Sequence, residues 1–221
     1  MRLEVYLNAR GERRFVGLLE ERGADILFEY DKRFLDSGIE LSPFLLPLRP
    51  GVASDPKRTF DGLFGVFNDS LPDGWGLLLL DRLLRRSGLP LERITPLSRL
   101  SLVGSGGMGA LEYEPVTPDP DPLPERIDLD GVAEEAWRTL NEDPLPVETL
   151  RTLMALNGSS CGARPKIMVR VSGDRRLIVP DAVAEPGCDP WLIKFPARHD
   201  DPAIGRMEYA CSLAAKRAGI E

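Results

Sequence analysis

The sequence is poor in the residues that staple or metallate small proteins. It has three cysteines, Cys161, Cys188 and Cys211, at wide spacing without a C-x-x-C pair, and a single histidine, His199. Neither a disulfide framework nor a zinc module is expected from that set. His199, with no histidine or cysteine near it, reads as a surface loop residue. No run of about 18 apolar residues occurs that could span a bilayer. The opening "MRLEVYLNARGERRF" lacks the apolar stretch and the small-residue cleavage site of a signal peptide, so the expected compartment is the cytoplasm. Positive charge is not in excess either: 28 Lys and Arg stand against 35 Asp and Glu, a net charge of −7. That balance disfavours direct nucleic-acid binding by the chain as a whole. The cluster "DRLLRRSG" could act as a local exception, but it reads as a solvated helix face rather than a phosphate-binding site.

What is present is an ordinary globular balance, 43% apolar and 29% charged over 221 residues. That is enough chain for one large domain or two modest ones. In "RLEVYLN" the apolar Leu3, Val5 and Leu7 alternate with polar neighbours, the period of a half-buried strand. "RFVGLLE" and "ADILFEYD" continue a small antiparallel sheet. Near residue 73 the period changes: Asp73 is placed to cap a helix that carries a leucine face through "GWGLLLLDRLLRRSG" and stops at Gly88. Five prolines between Pro115 and Pro124 then fix φ and remove donors, which predicts an extended connector. Beyond it "LDGVAEEAWRTLN" and "VETLRTLMALN" predict two helices, "PKIMVRV", "RLIVP" and "WLIKFP" three strands, and "AIGRMEYACSLAAKRAG" an amphipathic helix. The expected fold class is α+β. A small mixed β/α subdomain spans 1–113, the proline-rich connector 114–126, and a lobe of antiparallel sheet plus helices 127–221.

Gly104, Gly106 and Gly109 in "GSGGMG" match the dinucleotide fingerprint G-x-G-x-x-G. That pattern works when its loop opens into a helix, whereas "ALEYEP" follows here. No lysine followed by Ser or Thr completes a phosphate loop of the Walker type either. A glycine-rich turn feeding a short strand is the reading.

A second glycine-rich stretch, "NGSSCGARPK" at 157–166, has more to offer. Gly158 and Gly162 permit backbone conformations denied to other residues, Ser159 and Ser160 add hydroxyls, and successive N–H groups in such a loop can converge on phosphate oxygens. Strands follow it, which suits a protein-kinase-like small lobe, where a loop covers the phosphates and a strand lysine contacts them. Lys194 interrupts the apolar "WLIKFP", and an ammonium buried there would require an anion or a carboxylate. Glu208, in the following helix, offers the carboxylate. The alternative is an edge-strand lysine facing water and a glutamate on an ordinary polar helix face.

Three passages together resemble the HipA family of bacterial toxin kinases: "FNDSLPDGWG" at 67–76, "GSSCGARPK" at 158–166, and "WLIKFP" followed by "MEYACSLAAKRAGI". The resemblance extends over essentially the whole chain. It implies that 127–221 is a kinase small lobe, that Lys194 contacts ATP, that Glu208 is its helix partner, and that Cys161, Gly162, Ala163, Arg164 and Lys166 belong to the phosphate-covering loop. It also implies that Ser159 or Ser160 is autophosphorylated, which would add nearly two negative charges beside the ATP phosphates and disfavour a loop packed there. ATP and Mg²⁺ are the implied cofactors. A HipB-like DNA-binding antitoxin and a protein substrate such as an aminoacyl-tRNA synthetase are the implied partners, with DNA reached only through the antitoxin and no membrane role. The catalytic base and metal ligands belong, by the same resemblance, to a helical lobe outside these 221 residues, so none is assigned here. The expectation is the N-terminal half of a toxin kinase, incompetent alone. The alternative is a non-catalytic module or split-kinase subunit that docks an antitoxin or a separate lobe.

Overall fold

Leu3 and Val5 are buried while Arg2 before them and Glu4 between them are exposed, so the period-two pattern at the N-terminus becomes a strand with one wet face. The computed structural model describes residues 1–221 other than 10, 91–92, 108, 116–122, 142, 159–161, 184 and 221. Strands β1 (Arg2–Ala9), β2 (Glu12–Arg22), β3 (Asp25–Tyr30), β4 (Val52–Ser54) and β5 (Leu111–Glu114) form an antiparallel sheet in the order β4-β3-β2-β1-β5. In sequence, helix α1 (Lys32–Leu35) lies between β3 and β4, and helices α2 (Gly65–Asn68), α3 (Gly74–Arg86) and α4 (Pro96–Val103) lie between β4 and β5. The glycine-rich turn after α4 runs into β5, as expected for "GSGGMG".

The remaining elements build a second, smaller sheet. Helices α5 (Leu129–Leu140) and α6 (Val147–Asn157) precede strands β6 (Lys166–Ser172), β7 (Ile178–Pro180) and β8 (Cys188–Lys194), which pair antiparallel in the order β7-β6-β8, and helix α7 (Ile204–Arg217) follows. The fold is α+β. Residues 116–122 of the proline-rich connector lie outside the described residues.

Two hydrophobic cores result, and α3 decides how they divide. The first joins Leu3, Val5, Leu19 and Phe28 of the large sheet to Phe67, Leu97 and Leu100. The second joins Leu79, Leu80 and Leu83 of α3 to Leu150, Leu153 and Leu156 of α6 and to Ile167 and Val169 of β6. The leucine face of α3 thus belongs to the core of the small sheet, although α3 lies among the elements of the large one in sequence. Helix α4 serves both, Leu97 and Leu100 facing one core and Leu102 and Val103 the other. Its start is well marked: the Thr95 hydroxyl accepts from the Ser98 N–H, the Ser98 hydroxyl accepts from the Thr95 N–H, and Pro96 occupies the first turn.

The segment 67–76 is the hinge between the cores. Phe67 is fully enclosed in the first. Ser70 and Tyr113 of β5 share a hydroxyl–hydroxyl hydrogen bond of 2.7 Å, and burial raises the Tyr113 phenol well above its ordinary range. Trp75, one residue into α3, is enclosed in the second core.

Candidate functional site

The small sheet sets the site. Strand β8 pairs with β6 along its whole length, and the register places Lys194 directly opposite Lys166. Lys166 is 4% exposed, whereas Trp191, Leu192 and the Lys194 side chain of β8 are each nearly half exposed. The desolvation cost that the sequence attaches to Lys194 therefore falls on Lys166 instead. Above Lys166 sits Gly162, at φ +110°, and a Cβ added there would lie 2.6 Å from the Lys166 Nζ. Only glycine lets the loop pass this close to the ammonium.

Lys194 does meet Glu208. Its Nζ donates to Glu208 Oε2 at 2.9 Å, joining the end of β8 to the second turn of α7. The other carboxylate oxygen, Oε1, accepts from Arg164 Nη1 at 2.7 Å. Arg164 also donates through Nη2 to Asp200 Oδ1 at 3.0 Å, and Asp200 Oδ2 accepts from the Ala197 N–H at 2.8 Å. Four residues from loop, strand, turn and helix are thus held in one chain of charge-assisted bonds. The sequence pointed to Lys194 and Glu208 but not to Asp200, and it valued Arg164 for its backbone rather than its guanidinium. The pattern "RHDDP" carries no periodicity that would single out Asp200.

Both carboxylates titrate below their usual range. For Glu208 the Lys194 hydrogen bond is the main cause, with Arg164 adding to it; for Asp200 it is the Ala197 N–H, followed by Arg164. A carboxylate depressed on folding stabilises the structure above its unfolded-state value and loses that contribution as pH falls through its folded one. The network is therefore expected to be intact at neutral pH and to open only on acidification below the ordinary carboxylate range. Carboxyl ¹³C titration of Glu208 checks this: a midpoint at or above that of a free glutamate would show that the contacts to Lys194 and Arg164 do not persist in solution.

The loop itself is held from the other side. The Gly162 N–H donates to Asp73 Oδ1 at 2.5 Å, and the Gly162 carbonyl accepts from the Trp75 N–H at 3.1 Å. Asp73 occupies the N-cap position of α3 that the sequence assigns it, but its side chain accepts no bond from α3's own first turn. The carboxylate is committed to the loop instead, so the expected cap is corrected in its partner though not in its place. Gly74, at φ +47°, closes the contact, since an added Cβ would stand 2.6 Å from atoms of both Gly162 and Ala163.

Ser159, Ser160 and Cys161 lie outside the described residues. His199 is exposed in the turn before α7, Arg85 and Arg86 are exposed on α3, and Cys188 and Cys211 are free thiols. Among the described residues no group of three His, Cys, Asp or Glu could hold a metal ion, and no helix is long and apolar enough to cross a membrane. The arrangement sets two lysines opposite each other across one strand pair, with Gly162 of the preceding loop against the Lys166 ammonium and Lys194 paired with Glu208.

The family model of the HipA N-terminal domain matches residues 3–114, which takes in the large sheet apart from Arg2, α1 to α4 and the segment 67–76 between the cores. No curated protein and no solved structure matches the chain. With half of its length accounted for by that model, the chain belongs to the HipA family through the N-terminal domain it carries.

Proposed function

We propose that the chain forms the nucleotide-facing part of a HipA-like toxin kinase, one that transfers the γ-phosphate of ATP to a serine or threonine of a translation component such as an aminoacyl-tRNA synthetase. The observation that carries this reading is the Lys194–Glu208 pair, a strand lysine oriented by a helix glutamate beneath a glycine-bearing loop. The close approach of Gly162 to the Lys166 ammonium, which leaves no room for a side chain, supports the reading. Lys194, Lys166 and the loop from Cys161 would hold the phosphates, and Ser159 or Ser160 would be the modified serine. ATP with Mg²⁺ supplies the phosphoryl group. The catalytic base and the metal ligands would come from a helical lobe, in the same polypeptide or in a separate one. A small DNA-binding antitoxin in the cytoplasm completes the proposed setting.

One observation favours a docking role beside this. Helix α7 buries none of its residues, and Met207, Tyr209 and Leu213 expose apolar surface along it, with Trp191 and Leu192 exposed on β8. A separate lobe or an antitoxin seated there would make the chain a non-catalytic subunit. Incubating the product of the natural gene with γ-labelled ATP, Mg²⁺ and a translation extract separates the two readings. Label on serine or threonine of an extract protein is expected. Its absence, together with a stable complex with a second chain, would leave the docking role.

A further inference from the structure

We infer that Asp73 is a positioning residue, a latch by which the N-terminal domain sets the conformation of residues 162–166. A helix N-cap aspartate ordinarily spends its side chain on the N–H groups of the first turn of its own helix. Asp73 does not; it reaches a residue 89 positions away in sequence and accepts the Gly162 N–H. Two further contacts point the same way. The Trp75 N–H donates to the Gly162 carbonyl, so both polar groups of that one peptide position are held by 73–75. Gly74 and Gly76 are each pressed where a side chain would not fit, Gly74 against Gly162 and Ala163, Gly76 against the Asn157 amide at the end of α6. The helix start is thus shaped to the loop on three counts, and Asp73 is the only one of the three acting through a side chain.

The chemical consequence follows from the direction of the bond. An amide hydrogen directed at a carboxylate is engaged, and while Asp73 holds it that donor is withheld from any other anion. The loop also ends in Arg164 and Lys166, whose charges meet Glu208 and pass close beneath Gly162 respectively. Movement of Gly162 away from Asp73 would therefore be transmitted directly to both. The consequence for a bound nucleotide rests on the kinase reading above; the latch itself rests only on the geometry.

Hydrogen exchange on the whole chain without nucleotide tests it, and so stands or falls apart from that reading. In Asp73→Ala the Gly162 amide, the one Asp73 holds, is expected to exchange about tenfold faster or more, while interior amides of α3 and β6 keep their protection. In Asp73→Asn, which retains an uncharged acceptor, a smaller rise at the same amide is expected. A merely structural cap would show the reverse pattern, with fraying at Leu77 and Leu78 and an undisturbed loop. Unchanged exchange at Gly162, or loss confined to the first turn of α3, would overturn the proposal. Should Asp73→Ala fail to fold, Asp73→Asn decides it alone, because no rise at the Gly162 amide means no latch.

Discussion

Trp75→Ala is expected to destabilise the protein by about 3–5 kcal/mol, the range for removing an enclosed large aromatic side chain. Trp75 is 1% exposed and belongs to the core that joins α3, α6 and β6. It cannot be replaced by collapse of its surroundings, because Leu79, Leu80 and Leu83 are already fixed on the same helix face against α6. Urea unfolding followed by far-ultraviolet circular dichroism measures the loss as a fall in midpoint at constant slope. A loss below about 1 kcal/mol, the cost of a tolerated core swap, would mean that the tryptophan does not help hold the second core together. Trp75→Phe should recover most of the stability, since it restores an aromatic ring at the same place.

The second large effect is on chemistry. In the kinase reading, Lys194→Ala lowers phosphotransfer by about 10²–10³-fold, the scale for removing one preorganised donor from a developing charge. The melting temperature should hardly move, because the Lys194 and Glu208 side chains are both partly exposed and solvent screens their attraction. Lys194→Arg should rescue poorly: a planar guanidinium does not reproduce a point charge at the end of a flexible stem. Glu208→Gln should depress turnover in the same direction, since it leaves the lysine without its orienting charge. A Lys194→Ala enzyme with wild-type turnover would place the phosphate site elsewhere in the fold.

The contrast between those two residues explains what could be read in the sequence. Strands β1 to β3 and helices α3, α5 and α6 announce themselves because period two and period 3.6 are local properties of a few consecutive residues. The Lys194–Glu208 pair is legible for a related reason: strand, turn and helix follow one another within a short stretch, so their order nearly determines the meeting. Helix α4 is hard to read because it is only 8 residues long and its marks, the Thr95–Ser98 box and Pro96, all lie at its start. Asp200 and the Arg164 guanidinium went unread because neither lies on a periodic face. The bond from Asp73 to Gly162 was beyond reach altogether. Its partners stand on either side of the connector, and an aspartate before a helix has a sufficient local explanation that turns out to be the wrong one. The motif 67–76 was recognisable as a string of letters; that it makes a joint between two cores became visible only in three dimensions.

The place of α3 bears on how the chain is born as well as on how it rests. During synthesis its leucine face leaves the ribosome well before α6 and β6, the surfaces that will cover it, exist. At about 5–20 residues per second that wait lasts seconds, far longer than the collapse of the large sheet beside it. A nascent chain carrying an uncovered stripe of Leu79, Leu80 and Leu83 over that interval is a natural client for a holding chaperone, and Arg85 and Arg86 place charge at the C-terminal end of that stripe.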